Sequence, residues 1–157
     1  RHAWPPRLDP RCSPVMGYRI YGSPWQPLYR SWAFGKPHGP ALAEVWGSIP
    51  VDVDILMTHG PPQGVCDRCK TGRHVGCEDL YRAIVERAVP ISLFGHIHEA
   101  YGIEVHGPTT YINASTCTVG LHPHNAPVVF DLRPADECRA SANADADSMC
   151  PVCEGTG

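Results

Sequence analysis

Two short apolar segments joined by a helical one constrain the fold more strongly than any other feature of the sequence. Residues 53–58 (VDILMT) and 91–94 (ISLF) are rich in the residue types that form buried β-strands. Between them, residues 77–89 repeat their apolar positions with a helical period, and Pro90 ends that helix. Strands joined through a helix run parallel in α/β proteins, so we expect the carboxyl ends of these two strands to lie side by side.

The rest of the chain supplies further strands and one more helix. Residues 18–21 alternate and predict a strand, and residues 40–46 predict a short helix that Gly47 ends. Three more strands are predicted, at residues 101–105, 109–114 and 128–132. Large aromatic residues in the first loop are expected to anchor it by burial: Trp25, Trp32 and Phe34. This order of elements predicts an α/β protein, a layered sandwich that contains a mixed sheet.

The two ends of the chain differ in composition from its centre. Residues 1–16 are rich in Pro and Arg and predict an irregular leader, whereas residues 134–157 are small and acidic and predict a disordered tail. The domain is therefore placed at residues 17–133. The first residue is Arg1 rather than Met and no signal peptide is visible, so we expect a piece of a longer protein.

Charge and hydropathy exclude some classes of function. A net charge of −3 over 157 residues disfavours a protein that is held on DNA by phosphate neutralisation, so no nucleic-acid partner is expected. No apolar run approaches the roughly 18 residues of a membrane span, so no membrane partner is expected. The eight cysteines are unevenly placed, unlike those of a secreted disulfide scaffold, and we expect reduced thiols and a cytoplasmic location.

Histidines follow both buried strands: His59 comes directly after residues 53–58, and His96 and His98 follow residues 91–94. Residues two apart in extended backbone project to the same side, so His96 and His98 are expected to face one way. Neutral imidazole is a good ligand for Zn, Mn or Fe, and three converging histidines predict a metal site. The alternative is that each histidine only caps its strand through a hydrogen bond. The other histidines are interpreted as surface residues: His2, His38, His74, His106, His122 and His124.

The residues around these histidines resemble a known family. THGPP at 58–62 and GHIHEAYG at 95–102 resemble the last two motifs of calcineurin-like metallophosphoesterases, most closely their metallophosphoesterase-domain (MPPED) branch. Further segments are similar to that branch: IYGSPWQP at 20–27, WAF at 32–34, HVGC at 74–77 and YINAS at 111–115. The resemblance covers about residues 17–132, in order and without large gaps.

The resemblance implies an enzyme, a hydrolase of small phosphate esters with two divalent metal ions (Mn, Fe or Zn). His59 and His96 would bind one ion and His98 the other. In this family two metal ions generate a hydroxide and hold the phosphoryl oxygens during in-line displacement. Phosphomonoesters and phosphodiesters, cyclic nucleotides among them, are the implied substrates. The implied fold is a layered α/β/β/α sandwich.

The sequence also departs from the family. The family's D-x-H, G-D and G-N-H-[DE] motifs, which carry the metal-binding carboxylates, precede the YGSPW region and do not occur here. Three neutral imidazoles cannot balance roughly four positive charges, and burying unpaired charge is costly. Nearby carboxylates match no family ligand: Asp54, Asp67 and Glu99. We therefore expect a partial domain, the carboxyl-terminal half, which alone binds metal weakly and hydrolyses little.

Alternative interpretations concern the cysteines and the loss of activity. Residues 66–77 read C-x2-C-x4-H-x2-C, which is similar to a zinc knuckle that binds single-stranded nucleic acid, although the last spacer is short. Cys150 and Cys153 form one C-x-x-C-x-G-x-G unit without an evident second pair. A third alternative is a catalytically inactive scaffold or interaction module on the same fold. The metal identity, the substrate and the oligomeric state stay open.

Overall fold

A computed structural model of the chain describes residues 12–132, which form one six-stranded sheet, a short strand pair and two helices. In chain order, the strands are β1 (Cys12–Val15), β2 (Tyr18–Ser23), β3 (Gln26–Pro27), β4 (Gly35–Lys36), β5 (Ile55–Thr58), β6 (Ile91–Phe94), β7 (Gly102–His106) and β8 (Thr109–Asn113). The helices are α1 (Pro40–Gly47) and α2 (Glu78–Glu86). A single 3-10 turn, His98–Ala100, follows β6.

The six-stranded sheet is mostly parallel and has the order β1-β2-β5-β6-β8-β7. Strands β2, β5, β6 and β8 run parallel, and the edge strands β1 and β7 pair antiparallel with their neighbours. Helix α1 connects β2 to β5 and α2 connects β5 to β6, as parallel pairing requires. These features confirm a mixed α/β architecture. Within residues 12–132, neither helix has the length and the apolar run needed to cross a membrane.

One face of the sheet packs against the two helices and forms the hydrophobic core. The core side chains on this face come from four neighbouring strands: Tyr21, Leu56, Phe94 and Tyr111. The helices contribute the other large members: Leu42, Trp46, Leu80 and Ile84. Arg87 joins the ends of the helices, because its side chain donates to the carbonyl oxygens of Ile49 (2.8 Å) and Gly47 (3.0 Å). The helices therefore pack on the sheet through the core, and Arg87 holds them to each other.

The opposite face of the sheet is apolar but partly uncovered. Pairing places its residues in two rows across the strands, Gly22-Met57-Leu93-Ile112-Ile103 and Ile20-Ile55-Ile91-Thr110-Val105. Met57 is 49% exposed, Ile103 53% and Val105 65%. Parallel sheets are normally covered on both faces, so an exposed apolar face of this kind is unusual for a complete domain. We call these two rows the open face.

Three details differ from the sequence predictions. Residues 12–15 lie in the predicted irregular leader, but they form β1, which pairs antiparallel along β2. Residues 128–132 form no strand, and Val129 is 86% exposed there. Helix α2 ends at Glu86 rather than at residue 89, because Ala88 adopts a left-handed φ of 47°. Residues 1–11 and the predicted tail, including Cys150 and Cys153, lie outside the described residues.

Candidate metal centre

The loops after β5 and β6 bring two of the three predicted ligands into contact. Because β5 and β6 are parallel neighbours, their carboxyl ends reach the same edge of the sheet. The Gly95 amide donates to the His59 carbonyl oxygen over 3.1 Å, which ties the two loops together. The Nε2 atom of His59 lies 3.0 Å from the Nδ1 atom of His96, with the ring centroids 4.7 Å apart. These two ring nitrogens therefore lie within hydrogen-bond distance of each other at this edge of the sheet.

The backbone at His96 is held in an uncommon conformation. Its φ is 70°, a left-handed value that costs a non-glycine residue free energy and that is found mainly where the surrounding structure imposes it, as at functional sites. Burial lowers the pKa of His96 below its ordinary value, and the neighbouring His59 and His98 lower this pKa further. The ring is therefore neutral at physiological pH, which is the form that binds metal ions.

His98 lies near the pair but is oriented separately. From their spacing, His96 and His98 were expected to project to the same side of an extended segment. The backbone is not extended there, because His96 has a left-handed φ and His98 begins a 3-10 turn, and the common direction of the two rings stays a prediction. The Nδ1 atom of His98 donates to the Thr118 carbonyl oxygen over 3.0 Å, a tautomer that leaves the lone pair on Nε2. Metal-binding histidines commonly make this kind of outer hydrogen bond.

The donor set suits part of a metal site. Two ligands at adjacent positions of an octahedral ion, each about 2.1 Å from it, lie roughly 3.0 Å apart. The contact between His59 and His96 has this separation. In the part of the chain that the structure describes, no three His, Cys, Asp or Glu side chains are grouped so that they could hold a metal ion. Two imidazoles thus fit as ligands, and the remaining donors must come from outside this group.

The nearby carboxylates are occupied elsewhere, in line with their mismatch to the family motifs. Asp54 accepts the Arg19 amide over 2.6 Å, and Glu99 accepts the Lys70 amide, also over 2.6 Å. Asp67 is fully buried and bound within its own loop. Among the described contacts, none of the three is hydrogen-bonded to the two imidazoles, although Glu99 lines the cavity beside His96 and its charge acts to raise the pKa of that histidine.

A cavity of about 790 Å³ opens beside His96. Its wall includes the half-exposed rings of Tyr29 and Trp32, and the Trp32 ring lies edge-on to His96 with centroids 5.7 Å apart. Trp32 and Phe34 were expected from their size to be buried, but they are 52% and 54% exposed. Sequence reasoning therefore missed Trp32 as a residue of this site. The WAF segment of the resemblance was the signal that could have found it.

The cysteines and histidine of residues 66–77 do not converge as a zinc knuckle requires. Each of the four side chains has a different partner: Cys66 contacts Glu104, Cys69 contacts Thr71, His74 contacts Asp67, and Cys77 contacts Trp46. Cys77 also accepts the Leu80 amide and so caps the start of α2. The knuckle interpretation is therefore wrong for this segment, and its cysteines act in packing and capping.

Asp67 fixes the loop that the knuckle motif occupies. Its Oδ2 accepts the amides of Gly64 (3.0 Å) and Gly76 (2.9 Å), and its Oδ1 lies 2.5 Å from Nδ1 of His74. A Cβ atom at Gly76 would overlap the backbone of Pro62, so this position has room only for glycine. The loop therefore closes tightly against the HGPP segment that carries His59.

The thiols in this loop are expected to differ sharply in reactivity. Burial, followed by the hydrogen bond and charge of Glu104, raises the pKa of Cys66 to about 12. The Thr71 hydroxyl lowers the pKa of Cys69 below its ordinary value. Only the thiolate is alkylated, so we expect iodoacetamide near pH 8 to modify Cys69 roughly a thousandfold faster than Cys66. Peptide mapping by mass spectrometry measures both rates in one sample.

The alkylation rates also have an internal control. Full denaturation should make the two rates similar, because both thiols then have ordinary pKa values. Equal rates in the native protein would contradict the buried contact between Cys66 and Glu104.

Comparison with known proteins places the chain among relatives that are longer than itself. No protein-family profile matches it. It is 52% identical over 120 residues to metallophosphoesterase domain-containing protein 1 of Homo sapiens and equally to that of Mus musculus, which covers 75% of this chain and 37% of each relative. A UPF0046 protein of Caenorhabditis elegans is 40% identical over 126 residues, which covers 80% of this chain and 32% of that protein.

The chain therefore spans about a third of the length of the curated relatives it matches. One solved crystal structure aligns with a TM-score of 0.46 at 19% identity over 66% of this chain and 43% of the other, which is too weak a likeness to compare the two folds. The chain belongs to the family of the metallophosphoesterase domain-containing proteins.

Proposed function

We propose that the protein is a metal-dependent phosphoesterase that hydrolyses small phosphate esters, with this chain supplying the later part of the catalytic domain. The observation that carries the proposal is the contact between Nε2 of His59 and Nδ1 of His96 at 3.0 Å. Two neutral imidazoles at that separation suit adjacent ligand positions on one divalent ion. The names of the relatives, which state a metallophosphoesterase domain, support the same class of reaction.

His59 and His96 would hold one divalent ion and His98 would contribute to a second, with Mn, Fe or Zn as the candidates. A bound pair of such ions would supply a hydroxide at neutral pH and neutralise charge on the phosphoryl group. The protein's own contribution is orientation. The left-handed backbone at His96 and the hydrogen bond from His98 to Thr118 fix their rings before any ligand binds.

The cavity beside His96 suits the organic part of the ester. It has about 790 Å³ of space, within the range of small-molecule sites. Tyr29 and Trp32 supply an apolar wall, whereas Gln63 and Arg73 supply polar groups along the same lining. A phosphomonoester or a phosphodiester, cyclic nucleotides included, could therefore place its phosphoryl group at the imidazoles and its organic group in the cavity.

The open face supports the layered α/β/β/α sandwich as the complete architecture. This chain contributes one helix layer and one sheet, whose second face is apolar but partly exposed. A second sheet from another part of the longer protein would cover this face, as parallel sheets require. The same part would carry the carboxylates that balance the charge of two divalent ions, because three neutral imidazoles cannot do so.

The free thiols of Cys66, Cys69, Cys77 and Cys117 suit a reducing compartment such as the cytoplasm.

A chimera tests the proposal. In it, this chain takes the place of the aligned 120-residue segment of the human relative. We expect the chimera to hydrolyse para-nitrophenyl phosphate or para-nitrophenyl phenylphosphonate in the presence of Mn²⁺. The activity should be lost in EDTA and should return when Mn²⁺ is added back in excess. Activity that is unaffected by the chelator, or that is absent with every divalent ion tried, would contradict the proposal.

A further inference from the structure

Asn113 is a fully buried polar residue at the carboxyl end of β8, and it is not one of the candidate metal ligands. In the pairing of β6 with β8 it lies opposite Phe94, the last residue before the loop that carries His96. Burying an amide side chain is costly unless its polar atoms are hydrogen-bonded. The partners of Asn113 therefore show what this residue holds in place.

The Asn113 side chain makes four hydrogen bonds to three different segments. Its Nδ2 atom donates to the carbonyl oxygen of Ile97 over 2.8 Å and to that of Cys66 over 3.1 Å. Its Oδ1 atom accepts the hydroxyl of Ser115 over 2.7 Å and the amide of the same residue over 3.1 Å. Because backbone carbonyls only accept and backbone amides only donate, these partners fix which way the Asn113 amide group points. Both of its hydrogens and both acceptor positions of its oxygen are used.

The contact with Ile97 lies directly beside the strained backbone at His96. The Ile97 amide donates to the Gly95 carbonyl oxygen over 2.8 Å, which makes His96 the central residue of a γ-turn. With a φ of 70° at His96, this is the rare and strained form of that turn. Such a conformation persists only where the surrounding structure holds it. Ile97 is held on both sides, its amide by the turn and its carbonyl by Asn113.

The second partner, Cys66, is itself fixed from another strand. Glu104 on β7 accepts the Cys66 amide over 2.9 Å and the Cys66 thiol over 3.2 Å. Asn113 therefore ties the turn at His96 to a loop that has its own anchor. If Ile97 moved away, a buried donor of Asn113 and a carbonyl oxygen would lose their partners, which is costly.

We propose that Asn113 is a positioning residue of the candidate metal site, which holds the turn at His96 so that its ring meets the ring of His59. The use of this ring contact in binding a metal ion rests on the proposed phosphoesterase function. None of the hydrogen bonds described for Asn113 goes to an imidazole, so it acts through the backbone of Ile97. Residues that orient metal ligands typically contribute about 10- to 100-fold to metal affinity.

Asn113→Leu tests this role in the chain by NMR. Leucine is similar in size to asparagine but cannot donate to Ile97, so the turn at His96 should relax. In the metal-free chain, the NOE between the rings of His59 and His96, whose centroids lie 4.7 Å apart, should be present and should disappear in the variant. In a titration with Mn²⁺, the concentration that half-broadens the His96 ring signal should rise about 10- to 100-fold.

Tyr111→Leu is the matched control. Tyr111 is 1% exposed and lies two residues before Asn113 on the same strand and the same face of the sheet. Its replacement should also lower the free energy of unfolding in urea, but it should leave the ring NOE and the Mn²⁺ midpoint unchanged. A ring NOE that persists in Asn113→Leu, or that is lost equally in Tyr111→Leu, overturns the role of Asn113.

A measurement on the unaltered chain applies even if Asn113→Leu does not fold. The two side-chain amide protons of Asn113 should exchange with deuterium much more slowly than those of asparagine in an unstructured peptide, and exchange at the peptide rate overturns the proposal. The phosphoesterase proposal fails separately, when the parent chimera shows no metal-dependent hydrolysis. The ring NOE of the metal-free chain then still decides whether Asn113 positions His96.

Discussion

Replacing His96 with alanine should reduce metal-dependent hydrolysis by the chimera roughly a thousandfold. A bound ion contributes several kcal/mol of transition-state stabilisation, and each 1.36 kcal/mol corresponds to about a tenfold change in rate. His96 supplies one nitrogen of the contact with His59, and its ring is held by the left-handed backbone and by Trp32. The rate with para-nitrophenyl phosphate at saturating Mn²⁺ measures the loss.

His122→Ala is the control for this substitution. His122 and His124 form another histidine pair, with ring centroids 5.9 Å apart, on an exposed loop. Their replacement should leave the rate unchanged within about twofold, as for a surface position. If His96→Ala retained the parental rate while binding the same amount of metal, the assignment of His96 as a ligand would be wrong.

Met57→Asp should destabilise the chimera much more than the chain. In the chain, Met57 is 49% exposed on the open face, so the free energy of unfolding should fall by less than about 1 kcal/mol, as at an exposed position. In the chimera, the proposed second sheet would cover the open face, and the new carboxylate would be buried without a partner. The cost there should be about 3 kcal/mol or more. Urea unfolding of both proteins gives the two values.

Val85→Asp is the matched control for the open face. Val85 is 55% exposed, but it lies on α2, on the other side of the sheet. Its replacement should cost little in both proteins. A Met57→Asp cost that is equally small in the chain and the chimera would contradict the covering of the open face and, with it, the α/β/β/α architecture.

Local periodicity was sufficient to predict the elements that place the site. Residues 91–94 were predicted as a strand with the bounds that β6 has, and the helix before them and the strand β5 were placed within a few residues. Because a helix between two strands favours parallel pairing, the meeting of the His59 and His96 loops also followed from the sequence. These predictions depend on short-range patterns, which a single sequence carries.

The predictions that failed concern features that depend on contacts between distant segments of the chain. The left-handed backbone at His96 is not encoded by its own residue type, so the extended backbone expected for residues 96–98 was wrong. Trp32 was expected to be buried because of its size, yet it lies half-exposed at a cavity. The exposure of His74 was predicted correctly, but nothing in the local sequence shows that its Nδ1 atom contacts the buried Asp67.

Paramagnetic broadening by Mn²⁺ tests the metal site most directly. The chain, labelled with ¹⁵N in its histidine rings, is titrated with Mn²⁺ while each ring signal is followed by NMR. We predict that His59, His96 and His98 broaden at the lowest concentrations and that the exposed pair His122 and His124 broadens only later. Broadening of His122 and His124 first, or of all histidines together, would contradict a metal centre at the carboxyl ends of β5 and β6.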